Sequence, residues 1–495
     1  MSLELGGFAL LAVGAPMAAA LLALLVPRRV IGWIALPAAA IAVWAAYRLL
    51  PAVLAGVPVE QGLVALTPAR QLAFRVDALG LTFALLATGL WVLASVYAVG
   101  YARATNLKHP RRFFAAFAAA VGCAVGVAFA ADLLTFFVFY ELLTVATYPL
   151  VVHQETARAF AAGRRYLLFA LGGGLGLLVA VAWTAQATGT LAFVPGGFVS
   201  DVGGRVATTV LLSLFVVGVS VKAAVMPFHA WLPGAMVAPT PVSALLHAVA
   251  VVKAGVFGVL RVVGYVFGPE TFTALGGTLV LGGAAMLTIL VGSILALRQQ
   301  HLKRRLAYST IVHLSYIVLA AALATPMAFA GAVLHLVNHG VAKITLFFVA
   351  GSIYASTKRE GISELAGLGR RMPWTFAAFG VASLALVGVP AFAGFPSKLW
   401  MAQGAVEAGR ILPMVAILGA AVFTAAYLMP ILRIAYFPDA ERVGASGRVE
   451  SRWPIVLPLV VTAALSLLFG WFAPLVDVQA ALALRAAADV FGGMP

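Results

Sequence analysis

The chain has 495 residues, of which 63% are hydrophobic and only 10% are charged. A water-soluble protein of this length would carry about 25% charged residues, so the composition excludes a soluble globular protein and indicates an integral membrane protein. The formal net charge of +16 comes mostly from short connections between apolar runs, which favours contact with the inner membrane surface over nucleic-acid binding.

The apolar runs predict an all-α polytopic membrane protein. A helix needs roughly 20 apolar residues to cross a bilayer, and about 14 runs satisfy this length. We therefore expect residues 1–495 to form one integral membrane domain, whose first run is a retained helix. The predicted spans are 6–26, 30–51, 77–100, 112–131, 133–153, 163–187, 206–227, 240–266, 272–297, 305–325, 328–355, 373–403, 410–435 and 453–475.

The cations in the connections predict the orientation of the chain. They concentrate in the odd-numbered connections, whereas the even-numbered ones have few, and the positive-inside rule places such loops in the cytoplasm. Both termini are then expected outside, in a multi-pass protein of the cell's inner (plasma) membrane. These cations include Arg28, Arg29, Arg103, Lys108, Arg111, Arg112, Arg158, Arg164, Arg165, the stretch RQQHLKRR, Lys358, Arg359, Arg370, Arg371, Arg433, Arg442, Arg448 and Arg452.

Charged side chains inside the spans are the main candidates for function. Glu141 lies in the fifth span, in TFFVFYELLTVATYPLVVH, and four lysines lie in later spans. A charge at mid-membrane costs about 2.5–3.5 kcal/mol on insertion scales. Buried lysine changes its protonation readily, whereas arginine stays charged, so this set predicts proton transfer. The four lysines are Lys222, Lys253, Lys343 and Lys398; Lys108, Lys303 and Lys358 are expected in basic loops.

Two structural explanations compete with this interpretation. A lysine near a span end can extend its long side chain to the membrane surface, an alternative that we consider for Lys343 and Lys398 and also for Lys222 and Lys253. Glu141 could also form a static ion pair that only holds two helices together.

Histidines in the later spans extend the pattern. In HLVNHGVAK, the residues His335, His339 and Lys343 follow one another at i, i+4 and i+8, which places them on one helix face. His247 and His313 lie in other spans. Neutral histidine passes a proton between its ring nitrogens, although a lone membrane histidine can also serve as a hydrogen bonder between helices. A metal site is the weaker interpretation, because no carboxylate or cysteine accompanies the histidines.

Two spans contain helix-breaking residues. Span seven continues into KAAVMPFHAWLPGAMVAPTPVSALLHA, and span twelve contains GVPAFAGFPSKLW. Proline and glycine interrupt helical hydrogen bonding, and matching breaks in two halves of a chain are typical of inverted repeats with an ion path between them. We expect two five-helix repeats, 112–266 (spans 4–8) and 272–435 (spans 9–13). Proline kinks that serve packing alone are the alternative.

The chain offers no sign of a redox cofactor. Its one cysteine, Cys123, lies in an apolar run, which excludes an internal disulfide and a cysteine-ligated cluster. No dinucleotide-binding fingerprint or haem motif is visible. We expect no cofactor, no metal and no redox chemistry in this chain alone.

Five motifs resemble the antiporter-like membrane subunits shared by respiratory complex I, membrane-bound hydrogenases and Mrp-type cation/proton antiporters. Over spans 3–13 they read FYELL, VKAAVMPFHAWLPGAM, PTPVSALLHAVAVVKAGV, AYSTIVHLSY and HLVNHGVAKITLFF. The length is similar to that of shorter members such as the D subunit of the Mrp type. The resemblance implies a coupled Glu141–Lys222 pair and a water-joined row of groups across the membrane middle. The row continues through His247, Lys253, His335, His339, Lys343 and Lys398.

The resemblance implies a proton-translocating subunit that exchanges protons for a monovalent cation such as Na⁺, together with other membrane subunits. The alternative is a proton-pumping subunit of a complex I-like NADH–quinone oxidoreductase or a membrane-bound hydrogenase, driven by a partner arm. A third, weaker interpretation is an energy-coupling partner of an uptake protein, for example one for inorganic carbon.

Overall fold

The structure is a computed structural model that describes residues 2–27, 30–67, 70–437 and 447–493. Three of the cations that predict the orientation, Arg28, Arg29 and Arg442, lie outside the described residues.

The described chain is almost entirely helical. The first part contains α1 (Ser2–Leu25), α2 (Ala35–Arg48), α3 (Leu50–Leu54), β1 (Val59–Thr67), β2 (Arg70–Val76), α4 (Ala78–Thr105), α5 (Pro110–Phe129), α6 (Leu133–Val151), α7 (Ala157–Thr188) and α8 (Arg205–Ala223). The middle contains α9 (Trp231–Gly234), α10 (Thr240–Ala248), α11 (Val251–Arg261), α12 (Gly268–Ala274), α13 (Gly277–Arg298), α14 (Leu302–Leu323) and α15 (Pro326–Thr357). The last part contains α16 (Leu368–Arg371), α17 (Pro373–Val387), α18 (Gly394–Glu407), α19 (Ile411–Tyr436), α20 (Trp453–Trp471) and α21 (Ala473–Phe491).

Within the described residues, 13 helical segments are long and apolar enough to cross a membrane. The prediction of fourteen spans differs by one because span 373–403 is divided into α17 and α18, each of which is too short to count alone. Gly388, at the end of α17, adopts φ +87°, a left-handed conformation that glycine enters without steric cost. The polytopic all-α fold predicted from the sequence is confirmed.

Helix geometry is also lost after the seventh predicted span. α8 ends at Ala223, and Ala224 has φ +57°. Only short 3₁₀ and α-helical turns follow until α10 begins at Thr240. Pro227, Pro233, Pro239 and Pro241 lie in or next to this stretch, where they remove backbone donors that a continuous helix would need.

The eighth predicted span, 240–266, corresponds to one membrane-length segment, Thr240–Ala274, but the helix within it is interrupted. α10 ends at Ala248, and α11 begins at Val251 after Ala250 takes φ −107° and ψ −96°. A π-helical turn, Val262–Phe267, follows α11. The sequence has no proline or glycine between 249 and 252, so the local pattern contained no breaking signal.

Two further elements and one lysine differ from the sequence-based expectations. β1 and β2 form an antiparallel hairpin in the second connection, and α21 follows the last span; neither was predicted. Lys303 was expected in a basic loop, but it lies in the first turn of α14 with a side chain only 9% exposed. Its ammonium donates to the carbonyl oxygen of Ala238 at 3.3 Å, which explains why the side chain turns inward.

The core runs through the middle of the bundle. The helical segments that begin at Thr240 and Pro326 are buried along their apolar windows. Helices α7, α13 and α19 lie at the rim and expose large apolar side chains such as Leu175, Leu279 and Val422. An apolar rim around a core that contains charges is the reverse of a soluble protein and is suited to lipid or to partner helices.

Candidate functional site

Glu141 and Lys222 form an ion pair inside the bundle. Lys222 Nζ lies 3.2 Å from Glu141 Oε1, and their side chains are 18% and 1% exposed for the glutamate and the lysine, respectively. The ammonium also donates to the backbone oxygen of Tyr140 and lies 3.4 Å from the centre of the Tyr140 ring. The Glu141 carboxylate, the Tyr140 carbonyl and the face of the Tyr140 ring together stabilise the desolvated ammonium of Lys222.

The break after α8 brings Lys222 next to a second helix. A Cβ added to Gly255 of α11 would lie 2.1 Å from the backbone nitrogen of Ala223, so only glycine permits this approach. Trp231, beyond the break, donates its indole N–H to the carbonyl of Val221 at 2.9 Å. The end of α8 is therefore fixed between α11 and the chain that follows it.

Lys253 connects α11 to the long helix α15. Its ammonium donates to the backbone oxygen of Leu336 at 2.8 Å and lies 2.9 Å from His339 Nδ1. The His339 ring stacks on the His313 ring with centroids 5.4 Å apart. Lys253 is thereby joined to the histidines by one direct nitrogen–nitrogen contact.

A short row of hydrogen-bonding groups continues from His313. His313 Nδ1 lies 3.3 Å from His335 Nε2, and His335 Nδ1 lies 2.9 Å from Ser397 Oγ. Ser397 donates to the carbonyl of Gly394 at 3.1 Å, so its single hydroxyl proton is committed to that carbonyl. This assignment makes His335 Nδ1 the donor to Ser397 Oγ and His335 Nε2 the acceptor from His313 Nδ1.

Lys398 follows Ser397 in α18, and its side chain spans the interruption between α17 and α18. Its ammonium donates to the carbonyls of Leu386 and Val387 at 2.7 and 2.8 Å. These carbonyls belong to the last turn of α17, whose intrahelical donors end at the break. Tyr316 presents its ring 5.2 Å from the same ammonium.

Two predicted residues stand apart from this row. Lys343 donates to Ser309 Oγ at 2.7 Å, and Tyr427 donates to the same hydroxyl oxygen at 3.0 Å. His247 is fully buried beside the Phe347 ring at 4.6 Å. Neither His247 nitrogen has a hydrogen-bond partner among the described residues.

The structure places all eight predicted residues in the interior of the bundle. Their hydrogen bonds do not join them into one connected group. His335, His339 and Lys343 were predicted to share one face of α15, and all three contact α14: the two histidines contact His313, and the lysine donates to Ser309. His335 also contacts Ser397 of α18, and His339 also contacts Lys253 of α11.

The contacts add several groups that were not among the predicted site residues. His313, Ser309, Ser397 and Tyr427 each bond to a member of the predicted set or to its direct partner. Ser309 precedes His313 by four residues and Ser397 adjoins Lys398, so helix spacing around the charged residues could have identified both.

A second buried ion pair was also missed. Arg261, at the end of α11, forms a bidentate ion pair with Asp77, in which Nη2 donates to Oδ1 at 2.9 Å. Arg261 is 2% exposed, and Asp77 caps α4 by accepting from the Gly80 N–H at 2.8 Å. The residues are 184 positions apart, so no local pattern reports the pairing.

Comparison with known proteins identifies the family. Residues 130–424 match the model described as "NADH:quinone oxidoreductase/Mrp antiporter, TM". The chain belongs to this family. The matched segment contains every residue of the row described above, from Glu141 to Lys398.

The relatives include both cation/proton antiporter subunits and NADH-quinone oxidoreductase subunits. A probable K⁺/H⁺ antiporter protein of Rhizobium meliloti is 36% identical over 69% of this chain, and NADH-quinone oxidoreductase subunit L of Mycobacterium tuberculosis is 34% identical over 77%. The chain spans only 34% and 61% of their respective lengths. A chain in the Mrp complex from Dietzia sp. DQ12-45-1b has the same fold, with TM-score 0.87, 21% identity, and coverage of 99% of this chain and 98% of that chain.

Proposed function

We propose that the protein is a proton-translocating antiporter-like subunit that exchanges protons for a monovalent cation within a multi-subunit membrane complex. The observation that carries the proposal is the buried row of protonatable groups, which begins at the Glu141–Lys222 pair. Lys253, the histidines and Lys398 extend this set of buried groups through the interior, in separate hydrogen-bonded clusters. Such groups are costly inside a membrane and are typically retained for ion or proton movement.

The geometry suggests how the row works. Lys222 has a carboxylate partner in reach, and displacement of either partner changes the electrostatic free energy of a proton on the other. Lys253 and His339 are in direct contact, and His313 and His335 can relay a proton by exchanging which ring nitrogen carries it. Movement at the Glu141–Lys222 pair would thereby drive protons toward Lys398.

The membrane arrangement belongs to the same proposal. The basic odd-numbered connections favour cytoplasmic loops and both termini outside. The interruptions after Ala223 and at Gly388 favour two inverted repeats over 112–266 and 272–435. The exposed apolar rim favours partner subunits and lipid around the bundle.

A redox-driven proton pump is the second candidate function. The similarity to subunit L of an NADH-quinone oxidoreductase favours it. In that case electron transfer in a partner arm, in place of a cation gradient, would displace the Glu141–Lys222 pair, and the same buried residues would carry the protons.

Proton flux in inside-out membrane vesicles tests both functions. The vesicles contain the chain together with its genomic partners, and a pH-sensitive dye reports the response to Na⁺, then K⁺, then a quinone reductant. A cation-triggered pH change that falls about 100-fold in Glu141→Gln supports the antiporter. Asp477→Asn, an exposed change on α21, is the control.

A response to reductant alone, also lost in Glu141→Gln, would replace the antiporter with the pump. Normal flux in both Glu141→Ala and Lys222→Ala would exclude the pair from transport.

A further inference from the structure

A cavity of about 650 Å³ lies where three helices end on one side of the bundle. α4 ends there at Thr105, α15 ends at Thr357, and α20 begins at Trp453. Each of these helix ends joins an odd-numbered connection, the kind that carries most of the basic residues. The cavity is therefore on the basic side of the bundle, at the level where helices that cross a membrane meet the lipid headgroups.

The walls of this cavity are fixed by close packing and by hydrogen bonds. A Cβ on Gly100 would lie 2.9 Å from Ile455 Cγ1, so the glycine permits α4 to approach the first turn of α20. Ser451, just before α20, donates its hydroxyl proton to the carbonyl of Ser352 at 3.1 Å. Ser356 Oγ lies 2.7 Å from Ser451 Oγ. Because these contacts attach the start of α20 to both α4 and α15, the cavity is a feature of helix packing.

Two arginines line the cavity without an acidic partner. Arg103 lies in the last turn of α4, Arg452 is the N-cap residue of α20, and both are exposed. Neither guanidinium forms a hydrogen bond or an ion pair with the described residues, whereas Arg75 and Arg112 pair with carboxylates at 2.7 and 2.6 Å. The first turn of α20 adds the partial positive charge of a helix N-terminus. The cavity thus presents unneutralised positive charge.

Among the described residues that line the cavity, Glu450 is the only acidic one. Its Oε2 accepts from the Trp374 N–H at 3.0 Å, and its Oε1 accepts from the Thr375 hydroxyl. Both carboxylate oxygens therefore bond to the first turn of α17, whose N–H groups and dipole stabilise a negative charge. Since α17 offsets the charge of Glu450, Arg103 and Arg452 remain available to attract an anion.

The apolar surroundings indicate that this anion belongs to a lipid. Trp453 lines the cavity and is 63% exposed. Tryptophan is enriched where headgroups meet the hydrocarbon of a membrane, because its ring is apolar and its N–H is polar. Leu457, one turn further along the same face of α20, is 49% exposed. A phosphate would thus meet the arginines while an acyl chain continues along this apolar face.

We propose that the cavity between α4, α15 and α20 binds the headgroup of an anionic phospholipid. Its phosphate contacts Arg103 and Arg452, and one acyl chain lies along Trp453 and Leu457. Basic pockets between membrane helices are suited to such headgroups. A lipid that binds only the folded bundle also stabilises it by mass action. The inference goes beyond the proposed function, because it holds for an antiporter and for a redox-driven pump alike.

Native mass spectrometry of the delipidated complex in detergent tests the site. The complex is titrated with phosphatidylglycerol, and phosphatidylcholine is the comparison without net charge. We expect the apparent Kd for phosphatidylglycerol to rise about fivefold in Arg103→Gln or Arg452→Gln and about 25-fold in the double variant. Arg158→Gln/Arg164→Gln is the matched control, because it removes the same charge from exposed positions of another basic connection. This control should change the Kd by less than about twofold.

Three results would overturn the proposal. The first is unchanged phosphatidylglycerol binding in Arg103→Gln/Arg452→Gln. The second is an equal loss in Arg158→Gln/Arg164→Gln, which would assign the binding to net charge in place of the cavity. The third is equal binding of phosphatidylcholine, or displacement of phosphatidylglycerol by inorganic phosphate at a similar concentration, which would show that no anionic lipid is recognised.

A charge-conserving pair of variants covers poor recovery of the glutamine protein. Arg103→Lys/Arg452→Lys retains both positive charges and should bind phosphatidylglycerol within about threefold of wild type. Excess phosphatidylglycerol should raise the melting temperature of wild type and of the lysine variant, and leave that of the glutamine variant unchanged. A lysine variant that binds as weakly as the glutamine variant, or an equal rise in melting temperature in all three proteins, would contradict recognition by the two charges.

Discussion

Lys222 and Lys398 lie beside the two interruptions of the bundle, and the structure holds them in opposite ways. Lys222 faces a carboxylate at 3.2 Å, whereas Lys398 donates to two carbonyls and, among the described residues, has no acidic partner. One region is a charge pair and the other is a cation held by dipoles. A charge pair can be broken by movement of one partner, whereas carbonyls of a fixed helix end keep their position.

The comparison predicts unequal stability effects for the same substitution, and this is the largest effect expected. Lys222→Met leaves Glu141 without its partner and should lower the free energy of unfolding by about 2 kcal/mol, less than for a fully buried pair because Glu141 is partly exposed. Lys398→Met removes a buried cation and frees two carbonyls, so the opposing terms should leave a change within about 1 kcal/mol. Thermal unfolding in detergent compares the two variants.

The double variant Lys222→Met/Glu141→Gln is the control for this comparison. It removes both charges and should recover most of the stability lost in Lys222→Met. If Lys398→Met proves as destabilising as Lys222→Met, the two regions do not differ in the way their contacts suggest.

The next effect concerns the histidine relay on the Lys398 side. His335→Gln retains a donor and an acceptor but cannot exchange a proton between two ring nitrogens. We expect proton flux to fall about 10- to 100-fold, with little change in melting temperature. His109→Gln is a control in a connection, outside the row, and should retain flux. Unchanged flux in His335→Gln would remove the relay between His313 and Ser397.

The two breaks should also differ in their sensitivity to small substitutions. Gly388→Ala forces alanine into φ +87° and places a Cβ 2.9 Å from Lys398 Cδ, so we expect about 1–2 kcal/mol lower stability and reduced flux. Ala224→Gly relieves a left-handed alanine at φ +57° and should change stability by less than about 1 kcal/mol.

Gly419→Ala in α19 is the matched control for both, because a Cβ there meets no atom within 4 Å. A loss of stability in Gly419→Ala as large as that in Gly388→Ala would show that the conformation at the break is not the cause.

The smallest effect lies outside the spans, at Glu360. His301 Nε2 and Lys303 Nζ each lie 3.4 Å from this carboxylate, and the hydrogen bond from His301, followed by the charge of Lys303, lowers the pKa of Glu360 to about 2. The stabilisation that the Glu360 carboxylate provides should be complete above its ordinary pKa of 4.5 and disappear as the pH falls toward 2.

Glu360→Gln should therefore lower the melting temperature by about 1 °C at pH 7, since the carboxylate is partly exposed and screened. Wild type and variant should converge between pH 4.5 and pH 2. A difference that persists unchanged to the lowest pH would assign the effect to packing in place of charge.

The sequence alone determined the class of the protein and the residues that we predict to carry its function. Membrane spans follow from the length of apolar runs, and the cost of buried charge singles out Glu141 and the four lysines within spans. Both signals are local, so they are visible without a structure. Proline and glycine likewise predict a loss of helix geometry near Ala223 and Gly388, because their backbone effects act within one turn.

The tertiary structure decided how those residues are connected. The choice of neighbouring helices determines the break at Ala250 and the Arg261–Asp77 pair. It also determines the partners that His335, His339 and Lys343 find on α11, α14 and α18. Lys222 shows the reason most clearly, because its ammonium donates to the backbone oxygen of Tyr140, which is 82 positions away in the sequence. Contacts between distant helices are set by packing of the whole bundle, which no local pattern of residues contains.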